Sequence, residues 1–470
     1  MNILFCSPEV YPFSKAGGVA DFSASLPKAI SKLNNKVYVV TPYYSTVKEN
    51  FGDLMEYVGE RDIVLDDKVY QANYYRYEND NIVYLFVSHD FFDRKRFFGH
   101  DDDIKRFMFF NLAILELLSL INYYPDIIHI NDWSTSLIPY FLTTHYNKFD
   151  EYKDIKTLLT IHNLEKQGSY NKENEYLFKV KNFTYLHLEK INFLKTGIMR
   201  SNKINTVSKS YKNEILTKFF GFSLDGALKS RQLDLLGIQN GLDFDTYNPN
   251  TDKFIFKNYD VSNYKEGKDF NKKSLVKEFG FTDPDKMLVS FVSRFAKEKG
   301  VGLIMDVIDD FLVNEDINFI VIGEGDLAFE DFCEELSLKY PNSFKYFNKH
   351  NFKMGQKIIA ASDLLLHPSL YEASGLNQMI AMRYGTVPLV RETGGLKDTV
   401  IDSNDNFVGT GLTFENFDSN EFKAGIKRAL NYYNNNKDFW NKIIVNAMNI
   451  DNDIEAMAKN YNDLYLNMIK

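Results

Sequence analysis

The feature that most constrains the fold of this chain is a repeated alternation of short apolar runs with longer amphipathic stretches. Between the runs of the first half, apolar residues recur at helical spacing, as in Phe107, Phe110 and Ile114. Short, mostly apolar runs separated by amphipathic helices are typical of a parallel sheet that is covered by helices on both faces. We predict strands of the first half at residues 3–6, 37–41, 127–130, 156–161 and 204–207.

The second half of the chain repeats this pattern. We predict its strands at residues 287–292, 319–322, 364–366 and 386–390. The intervening segment, residues 248–286, is polar, rich in Lys, Asp and Asn, and only weakly periodic, which indicates a junction between domains. Because 470 residues exceed what one hydrophobic core usually organises, the sequence predicts two doubly wound α/β domains.

Composition and charge argue against several classes of partner. The net charge is -9, from 55 Lys and Arg against 64 Asp and Glu, which disfavours nucleic acid or an anionic membrane. The two cysteines, Cys6 and Cys333, are too few for a disulfide framework or a cysteine metal site. The N-terminus carries no export signal, and no run approaches the ~20 apolar residues of a membrane helix. We therefore expect a cytoplasmic protein that binds neither nucleic acid nor membrane.

The first candidate site is a glycine turn that follows the first predicted strand and precedes an amphipathic helix. It contains Lys15, Gly17, Gly18 and Asp21. Glycines let the backbone approach a ligand closely, a helix N-terminus attracts anions, and Lys15 adds a movable positive charge. Taken alone, such a turn is more often a plain strand-to-helix connection, so both interpretations stay open.

Two further predicted strands of the first half end in polar residues. Asn131 and Asp132 follow one of them, and His162 and Asn163 follow the other. Polar groups at the carboxyl ends of parallel strands are well placed to meet a ligand. A single histidine at such a position is more often a hydrogen-bonded interior residue, and the histidine spacing does not fit a metal site.

The second half carries two cationic residues after the end of a predicted strand. Arg294 and Lys299 follow its first predicted strand, where two cations can bracket a diphosphate. A solvated basic loop is about as common an explanation for such a pair. Gly323 begins a tight turn after the next strand, and this turn is open to a phosphate or a sugar.

A carboxylate follows a later strand of the second half. Glu372 lies shortly before an apolar helical pattern, and Ser374, Gly375 and Leu376 lie between them. The carboxylate can accept hydrogen bonds from sugar hydroxyls. The free N–H groups at the helix start can receive an anion.

The order of these motifs resembles that of the bacterial and plant glycogen and starch synthases that use ADP-glucose. The likeness runs from about residue 2 to about residue 465 and includes Asn240 and the turn formed by Gly394 and Gly395. Several positions depart from the family pattern, and among them is a Ser-Trp pair that is missing around residues 452–455. Ser374 replaces a cysteine, and His350 falls where the family places a tyrosine against the nucleotide base.

The resemblance implies the GT-B fold, in which two facing Rossmann-like doubly wound domains are followed by a C-terminal helix that crosses back to the first domain. We place the acceptor-side domain at residues 1–247, the nucleotide-sugar-binding domain at 248–445 and the crossover helix at 446–470. The implied reaction moves glucose from ADP-glucose to the non-reducing 4-OH end of an α-1,4-glucan and retains the anomeric configuration. It needs no metal and no other cofactor.

The resemblance also implies roles for residues of this sequence. Arg294 and Lys299 are expected to stabilise the leaving diphosphate. Glu372 is expected to orient the sugar hydroxyls, and His162 to lie beside the glucosyl ring. The other residues expected to bind substrate are Lys15, Gly17, Gly18, Asp21, Asp132, Asn163, Asn240, Gly323, His350, Ser374, Gly375 and Leu376.

Two other functions fit the same motifs. One is retaining glycosyl transfer by the same fold with a different donor, such as UDP-glucose, or with a small acceptor. The other is a glucan-binding or sugar-nucleotide-binding protein that has lost catalysis, which the retained Arg294, Lys299 and Glu372 argue against. Initial rates with ADP-glucose and UDP-glucose separate the first alternative, and glucan binding without turnover would identify the second.

Overall fold

A computed structural model describes residues 1–180, 183–314, 317–349, 351–404 and 408–470. The chain divides into two compact units: unit 1 comprises Met1–Asn240 with Ile454–Lys470, and unit 2 comprises Gly241–Asp453. Residues 241–247 and 446–453 therefore lie in unit 2, whereas the sequence places them in the first domain and with the last helix. The reason is that the two ends of unit 2 pair with each other. Leu242 forms a β-bridge with Asp453, and the Leu242 N–H donates to the Asn452 carbonyl at 2.7 Å.

Unit 1 is built on a mixed sheet with a parallel centre and on a small antiparallel sheet. Its strands are β1 (Asn2–Cys6), β2 (Lys36–Pro42), β3 (Glu56–Leu65), β4 (Lys68–Asn79), β5 (Ile82–Ser88), β6 (Ile127–Asn131), β7 (Lys156–Ile161), β8 (Ser169–Asn171), β9 (Leu186–His187), β10 (Lys190–Asn192), β11 (Lys203–Thr206) and β12 (Leu235–Gly237). The large sheet has the order β12-β11-β7-β6-β1-β2-β5-β4-β3, and β8-β10-β9 form the small one. The strands from β12 to β5 are parallel, and β5, β4 and β3 continue as an antiparallel meander.

Helices cover the sheet of unit 1. They are α1 (Gly18–Ser31), α2 (Ser45–Phe51), α3 (Asp103–Leu120), α4 (Ile138–Thr144), α5 (Phe193–Arg200), α6 (Lys209–Glu214) and α7 (Asp225–Ser230). The longest of these, α3, is buried along most of its length, which matches its run of apolar residues.

Unit 2 has an all-parallel sheet. Its strands are β13 (Met287–Val292), β14 (Ile317–Gly323), β15 (Phe344–Asn348), β16 (Leu364–His367), β17 (Val387–Arg391) and β18 (Leu412–Phe414), in the order β15-β14-β13-β16-β17-β18. Its helices are α8 (Tyr264–Phe279), α9 (Val301–Val313), α10 (Leu327–Lys339), α11 (Phe352–Ala361), α12 (Asn377–Arg383), α13 (Gly394–Thr399), α14 (Ser419–Asn435) and α15 (Lys437–Met448). Every residue of β13 and β14 is buried, as expected for strands covered on both faces.

Strand order defines where a ligand binds in each unit. In chain order, the strands of unit 2 run 3-2-1-4-5-6 across the sheet, so the winding reverses between β13 and β16. In unit 1 it reverses between β1 and β6. Ligands of open α/β sheets bind outside the carboxyl ends of the strands at such a switch point.

The last helix, α16 (Ile454–Ile469), belongs to unit 1. The Tyr465 hydroxyl lies 2.7 Å from Nδ1 of His129 on β6, and the Asn205 amide donates to the Tyr461 hydroxyl at 2.7 Å. These buried bonds fix the helix on the sheet. The predicted fold class of two α/β domains and a terminal helix returning to the first is confirmed.

The polar segment 248–286 lies within unit 2 and includes α8. Its weak periodicity has a structural cause, because Lys268 and Lys272 are buried members of that helix. The Lys268 ammonium donates to the Ala360 and Tyr384 carbonyls, and Lys272 pairs with Asp363 at 2.7 Å. Charged side chains thus occupy positions that an amphipathic pattern reserves for apolar ones.

None of the helices in the described ranges combines the length and the apolar character needed to span a membrane. Both cysteines are buried and free of disulfide bonds. The cytoplasmic location stays a prediction.

Candidate active site

Candidate functional side chains gather at the switch point of each unit. The first-unit cluster follows β1, β6 and β7 and comprises Glu9, Lys15, Gly17, Gly18, Asp21, Asp132, His162 and Asn163. The second-unit cluster follows β13 and β16 and comprises Arg294, Lys299, His367, Ser369, Glu372, Ser374 and Gly375.

The glycine turn after β1 carries an ion pair at its edge. The Lys15 ammonium lies 2.7 Å from the Asp21 carboxylate and 5.5 Å from the centre of the Tyr11 ring. Gly17 is the residue before α1, and its backbone is extended. A Cβ added to Gly18 would meet no atom of the described residues within 4 Å, so packing against them does not require glycine there. The space beside Gly18 therefore suits close approach by a ligand.

Glu9 holds this turn and was missed by sequence reasoning. Its Oε2 accepts hydrogen bonds from the N–H of Ala16 and, at 3.0 Å, from that of Gly17. The side chain is buried, and burial raises the pKa of the Glu9 carboxyl. In the sequence, Glu9 is marked only as an acidic residue three positions after an apolar strand, and this is a weak signal.

Asp132 joins the ends of β6 and β7. Its φ of 53° places the residue in the left-handed region, where non-glycine residues are uncommon. Oδ1 accepts from the His162 N–H at 2.7 Å and from the Asn163 N–H at 3.3 Å. Burial raises the pKa of Asp132 to about 7, although these two hydrogen bonds oppose the shift. The residue therefore fixes the backbone at the predicted site of the glucosyl ring.

The imidazole of His162 is neutral. Its Nε2 lies 2.9 Å from Oδ1 of Asn131, whose amide group donates to the Cys6 carbonyl. Because that orientation makes Oδ1 an acceptor, Nε2 carries the ring proton. Burial lowers the pKa of His162 to about 3, and the ring packs edge-on against Phe22 at 4.6 Å.

The other polar residues near this site, which include His129 on β6 and the predicted Asn163 and Asn240, differ in their surroundings. His129 is fully buried between the Thr160 hydroxyl and Tyr465, each at 2.7 Å, so it has a structural role. The Asn163 side chain accepts from the Glu165 N–H at 3.0 Å. The buried Oδ1 of Asn240 has no hydrogen-bond partner within the described part of the chain.

Lys299 and Glu372 form the centre of the second-unit cluster. The Lys299 ammonium pairs with Oε2 of Glu372, and the two side chains are only 18% and 14% exposed. Gly300 (φ 77°) lies so close to the loop after β16 that a Cβ would come within 2.0 Å of the Pro368 carbonyl oxygen. The structure thus brings the loops after β13 and β16 together, as the sequence predicts.

Glu372 has two further partners. Its Oε2 lies 3.1 Å from Nε2 of His367 and 3.4 Å from the Ser369 hydroxyl. Burial raises the pKa of Glu372, but Lys299 and His367 outweigh it and hold the pKa well below its usual range. His367, the last residue of β16, was not predicted. Its Nδ1 is buried without a hydrogen-bond partner among the described residues.

Arg294 stands apart from this pair. Its side chain is 62% exposed and lies 3.7 Å from Glu298. The guanidinium is thus solvated and available to an anion. That Arg294 and Lys299 bracket a diphosphate stays a prediction.

The glycines near the second-unit cluster are required by close backbone approaches. A Cβ on Gly323 would lie 1.9 Å from the Ser293 carbonyl oxygen, and one on Gly394 would lie 1.9 Å from that of Glu372. Gly375 has φ 72°, and Ser374 is buried beside it. Packing thus accounts for the turn at Gly323, and a role in substrate binding stays a prediction.

Two remaining predictions concern the nucleotide base and metals. His350 lies outside the described residues. Within the described ranges, no group of three His, Cys, Asp or Glu side chains is arranged to hold a metal ion. The prediction of a reaction without a metal stays untested.

Comparison with known proteins assigns both halves of the chain. The sequence model described as "Starch synthase catalytic domain" matches residues 2–230, and the one described as "Glycosyl transferases group 1" matches residues 273–444. The chain is therefore a two-domain glycosyltransferase.

Relatives that match over the full length specify the family. The chain is 44% identical to the glycogen synthase of Acholeplasma laidlawii over 100% of its own length and 99% of that protein. It is 38% identical to the glycogen synthase of Finegoldia magna, with 100% of both chains covered. The chain belongs to the glycogen synthase family.

Solved structures agree with this assignment. The catalytic domain of starch synthase IV from Arabidopsis thaliana, bound to ADP and acarbose, superimposes with a TM-score of 0.91 at 28% identity, covering 100% of this chain and 99% of that one. A sucrose-phosphate synthase from Thermosynechococcus elongatus has a TM-score of 0.62 at 14% identity over 99% of this chain and 98% of that one, which shows the shared fold alone.

Proposed function

We propose that this chain transfers glucose from ADP-glucose to the non-reducing 4-OH end of an α-1,4-glucan with retention of configuration. The observation that carries the proposal is the partly buried Lys299–Glu372 pair at the switch point of unit 2. It occurs in a chain whose full-length relatives are named glycogen synthases. The ADP in the related starch synthase structure supports adenine as the donor base.

The second-unit cluster has the charges that the leaving group requires. As the glycosidic bond breaks, negative charge grows on the departing diphosphate. The exposed guanidinium of Arg294 can bind phosphate oxygens in a bidentate manner, and Lys299 adds a second cation. Removing one such partner typically costs ~3–4 kcal/mol of transition-state stabilisation. In this arrangement, protein side chains stabilise the negative charge of the leaving diphosphate.

Glu372 is suited to hold the sugar. The carboxylate stays ionised because Lys299 and His367 lower its pKa, so it can only accept hydrogen bonds. A donor sugar offers several hydroxyl donors. When the diphosphate draws the Lys299 ammonium toward itself, His367 and Ser369 still fix the carboxylate.

The first-unit cluster is suited to contact a glucosyl group whose reacting carbon gains positive charge. We expect His162 to lie beside the glucosyl ring with its backbone carbonyl toward the oxocarbenium-like carbon, as the resemblance to the family implies. A neutral imidazole does not repel that charge, and burial keeps His162 neutral. Asp132 fixes the His162 backbone. Lys15 and the backbone amides of Gly17 and Gly18 then bind on the side of the diphosphate and the acceptor.

Initial rates of labelled-glucose transfer onto glycogen, measured with ADP-glucose and with UDP-glucose, test the proposal. We expect incorporation from ADP-glucose to exceed that from UDP-glucose, with new α-1,4 linkages in the product. A higher rate with UDP-glucose would overturn the donor assignment. Glycogen binding without incorporation from either donor would identify a non-catalytic homologue.

A matched pair of variants ties the rate to the site. Lys299→Ala should lose at least about 100-fold in turnover. Lys297→Ala is the control, because Lys297 is an exposed lysine on the same short helical turn, residues Lys297–Lys299. Equal rates in the two variants would remove Lys299 from the reaction.

A further inference from the structure

One oxygen atom fixes the glycine turn after β1. Oε2 of Glu9 accepts from both the Ala16 and the Gly17 N–H groups, so it holds two consecutive peptide units. Gly17 precedes α1 without a side-chain cap among the described residues. Glu9 thus takes the place of a cap and sets the direction in which the turn enters the helix.

Glu9 is itself held in place. Its N–H donates to the Ser7 hydroxyl at 3.4 Å, and that hydroxyl donates to the Glu9 carbonyl at 2.8 Å. The Ser23 hydroxyl on α1 donates to the Ser7 oxygen at 2.8 Å. Through its backbone and its carboxylate, Glu9 therefore connects the segment after β1, the turn and α1 by a short chain of hydrogen bonds.

Stability alone does not account for a carboxylate at this position. Glu9 is 4% exposed, and the nearby Lys15 ammonium pairs instead with Asp21. Burying a carboxylate with only N–H partners costs free energy relative to an apolar or neutral residue. Such local costs are tolerated where a backbone geometry matters for function.

We propose that Glu9 is a positioning residue for glycosyl transfer, because it holds the Lys15–Gly18 turn in the geometry that presents the Lys15 ammonium and the first N–H groups of α1 to the substrate. The proposal rests on the proposed function. Glu9 acts through the turn and has no contact with the substrate in this scheme. Displacing a positioned group by about 1 Å can cost ~10²-fold in rate.

Two conservative variants separate geometry from charge. In Glu9→Gln, the amide carbonyl can accept both N–H bonds, because both end on one oxygen in the wild type. In Glu9→Asp, the charge stays but the side chain is shorter by one carbon–carbon bond of about 1.5 Å, so the acceptor withdraws from the turn. Glu49→Asp, at an exposed glutamate on α2, is the control for the substitution itself.

We expect Glu9→Asp to lower kcat by about 100-fold while KM for ADP-glucose changes less than about threefold, since the turn acts on charge that develops in the transition state. Glu9→Gln should stay within about fivefold of the wild type, and Glu49→Asp should match it. In the free proteins, hydrogen exchange at the Ala16 and Gly17 amides should accelerate in Glu9→Asp and stay slow in Glu9→Gln.

Several outcomes would overturn the positioning role. They are wild-type kcat in Glu9→Asp, a larger loss in Glu9→Gln than in Glu9→Asp, or a lower unfolding temperature with unchanged kcat per folded molecule. Unchanged amide exchange in Glu9→Asp would contradict the hydrogen-bond anchor itself. If the wild-type protein transfers glucose from neither donor, the proposed function is refuted instead. In that case, amide hydrogen exchange still tests whether Glu9 holds the turn.

Discussion

Removing only the ammonium from the Lys299–Glu372 pair should destabilise unit 2 more than removing both charges. In Lys299→Met, a carboxylate that is 14% exposed keeps only His367 and Ser369 as partners. Breaking a buried ion pair from one side costs ~3–5 kcal/mol. Because both side chains retain some solvent contact, we expect about 3 kcal/mol, at the lower end of that range.

The opposite single variant should cost less. In Glu372→Gln, the long Lys299 side chain can move its ammonium toward water, so we expect a loss of about 1 kcal/mol. The double variant should lose about 2 kcal/mol, because no buried charge is left unpaired. The resulting interaction free energy between the two residues is about 2 kcal/mol.

Urea unfolding followed by tryptophan fluorescence measures these values. The chain has two tryptophans, Trp133 in unit 1 and Trp440 in unit 2. In a Trp133→Phe background, the signal therefore reports on unit 2. The reasoning is refuted if the free energy of unfolding of Lys299→Met lies within 0.5 kcal/mol of that of the parent. It is also refuted if the loss in the double variant equals the sum of the losses in the two single variants, because the two residues then have no net coupling.

Three further predictions follow from the structure. Arg294→Ala should keep the fold, because its side chain is solvated, but should lose at least about 100-fold in kcat with or without EDTA, and near-normal rates would remove it from the diphosphate site. Burial raises the pKa of Asp132 to about 7 from an ordinary 3.8, so protonation stabilises unit 1 at low pH and this stabilisation is lost as the pH rises through 7. The difference in free energy of unfolding between Asp132→Asn and the wild type, measured by Trp133 fluorescence, should thus rise by about 3–4 kcal/mol between pH 4 and pH 8. A difference that does not change with pH contradicts this. Tyr465→Phe leaves a buried imidazole nitrogen unpaired, so hydrogen exchange in α16 should accelerate by an amount equivalent to about 1–3 kcal/mol, whereas unchanged exchange would show that the hydroxyl does not hold the helix.

The parallel strands were the most predictable part of the fold. The strands at residues 156–161 and 287–292 have the predicted bounds, because a strand covered on both faces is mostly apolar and stands out from the polar residues that follow it. The antiparallel strands β3, β4 and β5 were not predicted. Tyr57 and Val69, for example, are exposed on β3 and β4, so apolar residues there do not mark a buried face.

The candidate site was predictable where a motif carried it. Lys299 and Glu372 were predicted at the ends of different strands, and the structure pairs them. Glu9 and His367 were missed, since each is a lone residue whose partner is chosen by tertiary packing. Gly394 shows the same limit, because the close approach of the Glu372 carbonyl adds a need for glycine beyond that of its own positive φ of 44°.

The most direct test of the proposed function is the single-turnover rate of ADP release from ADP-glucose in the presence of glycogen, compared between the wild type and Lys299→Ala at saturating donor. We predict glucose incorporation in step with ADP release by the wild type, and a rate at least about 100-fold lower in Lys299→Ala. Equal rates in the two proteins, or ADP release without incorporation into glycogen, would contradict a transfer reaction that depends on the second-unit cluster.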